Sequence, residues 1–259
     1  MITMVLSCQA AVLGQLQTYA DSNIHSILIC SPYSCGKTYM AKQYSNMIHT
    51  DDFKIVQPKM SDVKETVDYC RQLATSITIC FENIDAGVIG VSNAVLKLLE
   101  EPPKNVYIIV TCKNASNVLP TIISRCMVTE CTAPTTNDVK LYADSINFDI
   151  RSCSSVRGCL HDFRDVDIAS KFTQDQLDHF SDIMNCMYSS DSVSNKMWKM
   201  QKFPDGTQIP IDFLLNYIVT TVSNPTIKRI GYNCIRDLAS GKIPSHVVLA
   251  KFLFDISMI

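Results

Sequence analysis

A short loop near the N-terminus carries side chains that could bind a phosphate group. It ends in Gly36, Lys37 and Thr38, between an apolar segment and a predicted helix. In such a loop the backbone N–H groups at the helix N-terminus point at the anion, the lysine reaches the β and γ phosphates, and the hydroxyl holds Mg²⁺. The loop therefore predicts a site for ATP and Mg²⁺, made of the residues Ser31, Pro32, Ser34, Cys35, Gly36, Lys37 and Thr38.

Two serines depart from the usual composition of a phosphate loop. Ser31 stands at the first glycine of the motif, and Ser34 at a position where glycine is also common. Only glycine adopts a positive φ without steric cost, so we expect a tighter, less accommodating loop. The competing interpretation is a loop that binds nothing or only a stray anion.

Predicted strands and helices alternate around this loop. The strands cover 24–30, 76–81 and 106–112, and the helices cover 9–21, the residues from the loop to about 47, 61–73 and 91–101. Alternation of strands with helices of this length indicates a parallel α/β sheet. From about residue 136 the chain is predicted to be mainly helical. The signals there are helices around 138–144 and 155–163, a capping box at Thr173 and Gln176, and an N-cap with a following proline at Asn224 and Pro225.

The composition describes a folded protein of ordinary charge. The chain has 259 residues, 47% of them hydrophobic, and a formal net charge of −2. We expect two or three small domains with a full core. No apolar run reaches the roughly 18–20 residues of a membrane span, and the first residues show no signal peptide. Because the net charge is slightly negative, any contact with nucleic acid must come from a local basic patch.

Cysteine is frequent, with twelve residues, but none forms a C-x-x-C pair. This spacing suggests neither a zinc ribbon nor a thioredoxin-like site. Several cysteines lie inside apolar runs, where the free thiol behaves as a small buried hydrophobic group. We expect reduced thiols in a cytoplasmic protein, with disulfides or a metal as the alternative.

A second pair of motifs lies downstream of the phosphate loop. Leu99-Glu100-Glu101-Pro102-Pro103 ends a predicted helix, and Ser124-Arg125-Cys126 follows a predicted strand. With the segments around them, these motifs resemble the AAA+ ATPase module of DNA polymerase clamp loaders, of the bacterial ATPase-subunit and δ′ type, over residues 10–135. The resemblance implies an α/β AAA+ P-loop module, a parallel sheet with flanking helices, over 1–134. It also implies a small helical lid over 135–171 and a C-terminal all-α collar over 172–259.

The resemblance implies roles for the acidic end of the second predicted strand. Glu82 and Asn83 stand where the family usually has Asp-Glu. Glu82 would join Thr38 as a Mg²⁺ ligand, whereas Asn83 cannot accept a proton as the general base. We therefore expect impaired or absent hydrolysis, with a functioning but unusual site as the alternative. Asp85 could replace the base only if the strand ended later, and both acids could also be ordinary solvated loop residues.

Three cationic residues complete the implied site. Arg125 would be the arginine finger that reaches the γ-phosphate bound by a neighbouring subunit. Lys113 stands where the family senses the γ-phosphate, often with Thr or Asn, and Arg157 in the lid would contact the nucleotide from above. The alternatives are a salt-bridged residue at a strand edge for Arg125 and a surface helix residue for Arg157.

The implied function is that of a sliding-clamp loader subunit in DNA replication. The zinc insertion of bacterial subunits is absent and the lid is short, so the resemblance fits a divergent or phage member. The implied partners are other clamp-loader subunits in a homo- or hetero-pentamer-like ring, a sliding clamp and primer–template DNA, with Ser92, Lys97 and Lys113 near candidate DNA surfaces. Two other functions stay open. One is a stand-alone AAA+ replication motor or initiator loader, and the other is a non-hydrolysing AAA+ scaffold that regulates the replisome.

Overall fold

The chain folds into two compact units, Met1–Asp138 and Val139–Ile259. The computed structural model describes residues 6–32, 34–70, 74–150, 156, 158, 160–239 and 243–258. Among these residues, no helix has the length and apolar character needed to cross a membrane. The cysteines in the same ranges carry free thiols.

The described residues of the first unit form a five-stranded parallel sheet. The strands are β1 (Ser26–Cys30), β2 (Asp52–Val56), β3 (Ile77–Phe81), β4 (Val106–Cys112) and β5 (Met127–Glu130). They lie side by side in the order β2-β3-β4-β1-β5. Because the strands are parallel, their carboxyl ends share one edge of the sheet, and the loops that follow β1, β3 and β4 meet there.

The sequence predicts the three central strands, which are confirmed as β1, β3 and β4, but it does not predict the two edge strands. Each edge strand pairs with only one neighbour, so its side chains are partly exposed. Ile55 in β2 and Met127 in β5 are 47% and 44% exposed. A short, half-exposed strand lacks the continuous apolar run that marks a buried parallel strand.

Helices cover both faces of the sheet. In the first unit they are α1 (Ser7–Asp21), α2 (Lys37–Met47), α3 (Met60–Cys70), α4 (Ile89–Glu100) and α5 (Pro120–Ile123). The buried residues of α3 and α4 form one cluster with alternate residues of β1, β3 and β4. Every residue of β1 and β3 is buried, so the opposite face is covered as well. α1 and α2 pack against each other and contact the remaining strand surface.

The described part of the second unit is helical. Its first helix, α6 (Thr136–Ser145), begins within the first unit, and the others are α7 (Phe163–Ala169), α8 (Gln174–Asp178), α9 (Phe180–Met187), α10 (Val193–Met200), α11 (Ile211–Thr221), α12 (Pro225–Ala239) and α13 (Ser245–Ser257). Its core contains a group of aromatic rings in mutual contact, mostly edge to face, formed by Phe172, Phe180, Phe203, Phe213 and Tyr217.

Two helix-start signals of this unit are confirmed. Thr173 and Gln176 form the capping box at α8, and the Asn224 side chain accepts the N–H of Thr226 at 2.9 Å at the start of α12. Of the helix predicted around 155–163, residues 155, 157 and 159 lie outside the described residues, and α7 begins only at Phe163. The division of the unit into a lid and a collar at residue 171 stays a prediction.

A buried carboxylate in α7 predicts how stability depends on pH. Burial, and to a lesser degree the charge of Asp162, raises the pKa of Asp165 to about 6. The folded chain therefore holds this proton more tightly than the unfolded chain, and ionisation of Asp165 costs stability as pH rises from ~4 through about 6. The full cost is about 3 kcal/mol. We expect Asp165→Asn, which keeps an oxygen acceptor for the N–H of His161, to raise the free energy of unfolding in urea at pH 7 and to change it little at pH 4.

Asp138→Asn is a control for which we expect the opposite dependence of stability on pH. Burial alone would raise the pKa of Asp138, but hydrogen bonds from Ser7 and Thr135 lower it below its ordinary value. The ionised Asp138 carboxylate therefore stabilises the folded chain at neutral pH, and this stabilisation is lost as pH falls. The Asn variant should be destabilised most at pH 7 and least in acid. The same pH trend in both variants would contradict the pKa assigned to Asp165.

Candidate nucleotide-binding site

The loop between β1 and α2 has the geometry of an anion site. α2 begins at Lys37, directly after Gly36, whose backbone is left-handed with φ +82°. The first turn of α2 contains no acidic side chain, so the positive end of the helix dipole favours an anion there. Lys37 Nζ donates to the backbone carbonyl of Ser31 at 2.8 Å, which holds the ammonium group within the loop.

The loss of glycine at Ser31 does not strain the loop. Ser31 has no positive φ, so its Cβ meets no conformational penalty. Its N–H donates to the carbonyl of Cys112 at 3.1 Å, which ties the start of the loop to the end of β4. Ser31 therefore adds no backbone strain, and the expectation of a tighter, less accommodating loop stays a prediction. Ser34 follows Tyr33, which lies outside the described residues.

Cys35 is a buried thiol in the phosphate loop, and its pKa is lowered. The residue is fully buried, and burial on its own raises the pKa of a thiol. A hydrogen bond from Cys131, joined by one from Ser31 and by the charge of Lys37, nevertheless lowers the pKa of Cys35 to about 6.

Glu82 and Thr38 contact each other directly. Glu82 follows β3, and the Thr38 hydroxyl in the first turn of α2 donates to one of its carboxylate oxygens. The other oxygen accepts the Gln57 amide at 2.8 Å. Gln57 lies beside Glu82 because β2 and β3 are paired in register, with the N–H of Glu82 donating to Val56. A hydroxyl and a carboxylate at a phosphate-binding loop are a ligand set that suits Mg²⁺.

Asn83 occupies the next position in an unusual backbone conformation. Its φ is +46°, in the left-handed region that Asn tolerates better than most residues. Its N–H donates to the Thr111 hydroxyl of β4 at 3.0 Å. The backbone of this position is thus fixed against the neighbouring strand, and its side chain is an amide, which has no basic site for a proton.

Asp85 has a structural contact of its own. β3 ends at Phe81, so Asp85 lies in the following 3₁₀ turn (Ile84–Ala86) and not at the strand end. Its Oδ2 accepts the N–H groups of Lys113 and Asn114, each at 3.0 Å. The condition under which Asp85 could replace the missing base is therefore not met. Asp85 instead joins the end of β3 to the end of β4 and places Lys113 beside the phosphate loop, where the Lys113 carbonyl accepts the Cys30 thiol at 3.8 Å.

Arg125 connects the two downstream motifs. It follows α5, and its Nη2 forms an ion pair with Glu100 Oε1 at 3.0 Å. Its Nη1 donates to the Thr121 carbonyl at 3.0 Å. The guanidinium group is 35% exposed and Glu100 50% exposed. Its partners belong to α4 and α5, not to the phosphate loop.

Part of this arrangement is similar to known proteins. A family model described as "DNA polymerase III, delta subunit" matches residues 79–134, from β3 through Arg125 and β5. "DNA polymerase III subunit delta'" of Pseudomonas aeruginosa is 27% identical over 111 residues, which are 39% of this chain and 34% of that protein. This part of the chain is therefore similar to DNA polymerase III subunits of the delta and delta' type. The chain matches only about a third of the length of this curated relative.

Two solved structures share the fold of this chain. A DNA polymerase III gamma subunit-related protein from Thermotoga maritima has a TM-score of 0.54 at 15% identity, covering 93% of this chain and 97% of that one. A RuvB mutant from Thermotoga maritima has a TM-score of 0.52 at 10% identity, covering 83% and 77%. At such low identity the similarity concerns the fold alone. It confirms the AAA+ α/β module with a following helical region.

Sequence reasoning missed three polar partners of the predicted site residues. Gln57, Gln9 and Glu100 each contact a predicted site residue, namely Glu82, Cys35 and Arg125. Glu100 lies within the motif that carries the family resemblance, but its spacing to Arg125 does not reveal the ion pair. Gln57 follows an edge strand that the sequence does not predict, and Gln9 lies on a helix with no motif. Arg157 lies outside the described residues, so its role as a second sensor stays a prediction.

Proposed function

We propose that this chain is a subunit of a sliding-clamp loader in DNA replication, which binds ATP at subunit interfaces and supplies an arginine finger to its neighbour. The observation that carries the proposal is the coexistence of two features in one module. One is a phosphate loop whose Thr38 contacts Glu82, and the other is Arg125, which is held by Glu100 and Thr121. The partners would be other clamp-loader subunits in a pentamer-like ring, a sliding clamp and primer–template DNA.

The phosphate loop would bind ATP through three kinds of contact. Backbone N–H groups near Gly36 and the N-terminus of α2 would receive the phosphates. The Lys37 ammonium group would exchange the Ser31 carbonyl for phosphate oxygens, a stronger, charge-assisted hydrogen bond. Thr38 and Glu82 would hold Mg²⁺, whose chemistry is to bridge and neutralise phosphate oxygens.

Arg125 would act on a neighbouring subunit. Its partners in this chain, Glu100 and Thr121, leave the guanidinium about a third exposed, and an exposed ion pair is weak, at about 0–1 kcal/mol. Arg125 could therefore exchange Glu100 for the γ-phosphate of a neighbour at little cost. Such a finger in trans ties the nucleotide state of one subunit to its packing against the next.

Hydrolysis at this chain's own loop would be impaired. Asn83 carries an amide where a general base is needed, and the Asp85 carboxylate is engaged by the N–H groups of Lys113 and Asn114. The chain would bind nucleotide passively and donate Arg125, with Lys113 and Arg157 as sensor residues and 172–259 as the collar. Asn83 equally supports a non-hydrolysing AAA+ scaffold, which differs in needing no finger.

Nucleotide binding and ATPase assays test this proposal. Binding of fluorescent ATP and ADP to the purified chain should be Mg²⁺-dependent, with little hydrolysis by the chain alone. Hydrolysis should appear when the partner subunits, the clamp and primed DNA are added. Bound nucleotide without hydrolysis in any mixture would favour the scaffold. Strong hydrolysis by the chain alone would contradict impaired chemistry and favour a stand-alone motor.

A further inference from the structure

One buried side chain of α1 holds the phosphate loop by its backbone. Gln9 is 4% exposed, and its Nε2 donates to the carbonyl of Cys35 at 2.9 Å. A buried amide is costly unless it is hydrogen-bonded. An apolar core residue could not replace Gln9 without loss of this hydrogen bond. The bond is made to the main chain of the loop and not to a side chain.

The Gln9 amide also occupies the space beside Gly36. A Cβ added to Gly36 would lie 2.6 Å from Gln9 Nε2, closer than such atoms approach, and the φ of +82° would strain any other residue there. Gly36 is thus required by its backbone conformation, and a Cβ at this position would also have to displace the Gln9 amide, which is the far end of a flexible side chain. The contact sits directly before α2, where the phosphate-binding N–H groups begin.

The start of α1 is itself fixed. Asp138 is 1% exposed. It accepts the N–H and hydroxyl of Ser7 at 2.7 and 2.6 Å, and the N–H and hydroxyl of Thr135 at 2.9 and 2.8 Å. Ser7 opens α1 and Gln9 follows two residues later. The two anchors make the first turn of α1 a rigid support for the loop.

We propose that Gln9 is a positioning residue for phosphate binding, which fixes the backbone of the loop at Cys35–Gly36 from the first turn of α1. This inference rests on the proposed nucleotide site. Gln9 thereby adds to the loop backbone a hydrogen bond that comes from α1, outside the loop. Asp138 acts one step further away, by holding the helix turn that carries Gln9.

The test compares Gln9→Met with Gln9→Glu. The Met side chain has similar size but no amide donor, and the Glu side chain would direct an oxygen at the Cys35 carbonyl. The matched control is Gln17→Met, on the exposed part of the same helix, where the Gln17 amide only contacts Asp21 at 2.9 Å. The readout is the ratio of ADP affinity to AMP affinity, because the loop backbone cradles the phosphates. Thermal unfolding without nucleotide is recorded beside it.

We expect Gln9→Met to lower the ADP/AMP affinity ratio by roughly tenfold, the value of about one hydrogen bond, and Gln9→Glu to lower it further. Gln17→Met should leave it unchanged. A lower melting temperature with an unchanged ratio would mean that Gln9 is merely structural, and would overturn the inference while the nucleotide site survives. Absence of any nucleotide binding by the unaltered chain would overturn both.

A double-mutant cycle gives a second, independent test. Gly36→Ala should weaken ADP binding strongly in the unaltered chain but less in a Gln9→Ala background, because the space next to Gly36 is then open. Part of the effect should persist in that background, since the positive φ remains. Equal effects of Gly36→Ala in both backgrounds would show that Gln9 and Gly36 are not coupled, and would contradict the inference.

Discussion

Arg125→Ala is expected to lower the ATPase rate of the assembled ring by roughly 10³-fold, the usual contribution of an arginine finger. Lys37→Ala in the same chain should lower it less. If this chain's own site lacks a base at Asn83, the hydrolysis that the ring performs takes place at the neighbour's nucleotide, which Arg125 would contact and Lys37 would not. Steady-state ATPase rates of rings reconstituted with each variant give the ranking.

Two further variants distinguish the loss of the Arg125 guanidinium from the loss of its ion pair with Glu100. Arg125→Lys keeps the charge but lacks the planar fork of a guanidinium, and it should be nearly as defective as Arg125→Ala. Glu100→Gln removes the 3.0 Å ion pair but leaves the finger, and it should keep the activity. A ring impaired more by Lys37→Ala than by Arg125→Ala would contradict the role of this chain as a donor of the finger.

Glu82→Gln is expected to abolish most of the Mg²⁺ dependence of nucleotide binding. Glu82 is the carboxylate that the Thr38 hydroxyl and the Gln57 amide hold at the phosphate loop. A neutral amide is a poor ligand for Mg²⁺, and even loss of a residue that supports a metal ligand costs ~10–100-fold in metal affinity. ADP affinity measured with excess Mg²⁺ and with EDTA should differ in the unaltered chain and converge in the variant.

Asp85→Asn is the matched control for this second prediction. Asp85 lies three residues from Glu82, but its Oδ2 accepts the N–H groups of Lys113 and Asn114, and an Asn oxygen can still accept one of them. We therefore expect Asp85→Asn to keep the Mg²⁺ dependence. If Asp85→Asn lost the Mg²⁺ dependence while Glu82→Gln kept it, Asp85 and not Glu82 would be the Mg²⁺ ligand. That result would contradict the metal site described above.

Local sequence patterns were sufficient for the elements that carry the site. β1, β3 and β4 are continuous apolar runs because both of their faces are buried, and such runs stand out in any sequence. Gly36-Lys37-Thr38 could be placed between a strand and a helix because all three segments are contiguous in the sequence. The same holds for Thr173 with Gln176 and for Asn224 with Pro225, since helix caps depend on residues three positions apart.

The edge strands and the long-range polar contacts could not be predicted in this way. β2 and β5 are short and half-exposed, so their composition does not differ from that of a loop. The bond from Gln9 to Cys35 joins residues 26 positions apart, and the bond from Gln57 to Glu82 joins residues 25 apart. No periodicity encodes such a pair. The bond from Gln57 to Glu82 depends on the register of β2 against β3, and the bond from Gln9 depends on the packing of α1 against the loop.

The sequence by itself determined that this chain has an α/β sheet with a helical C-terminal part, a Gly36-Lys37-Thr38 segment between a strand and a helix, and motifs that resemble those of AAA+ clamp loaders. These are properties of contiguous residues, in which propensity and spacing act locally. Only the tertiary structure decided that Thr38 meets Glu82, that Asp85 belongs to the end of β4, that Glu100 holds Arg125, and that Gln9 supports the loop. Two of those contacts, Thr38 with Glu82 and Asp85 with the end of β4, arise where parallel strands bring distant segments to one edge of the sheet. The other two, Glu100 with Arg125 and Gln9 with the loop, arise from the packing of helices.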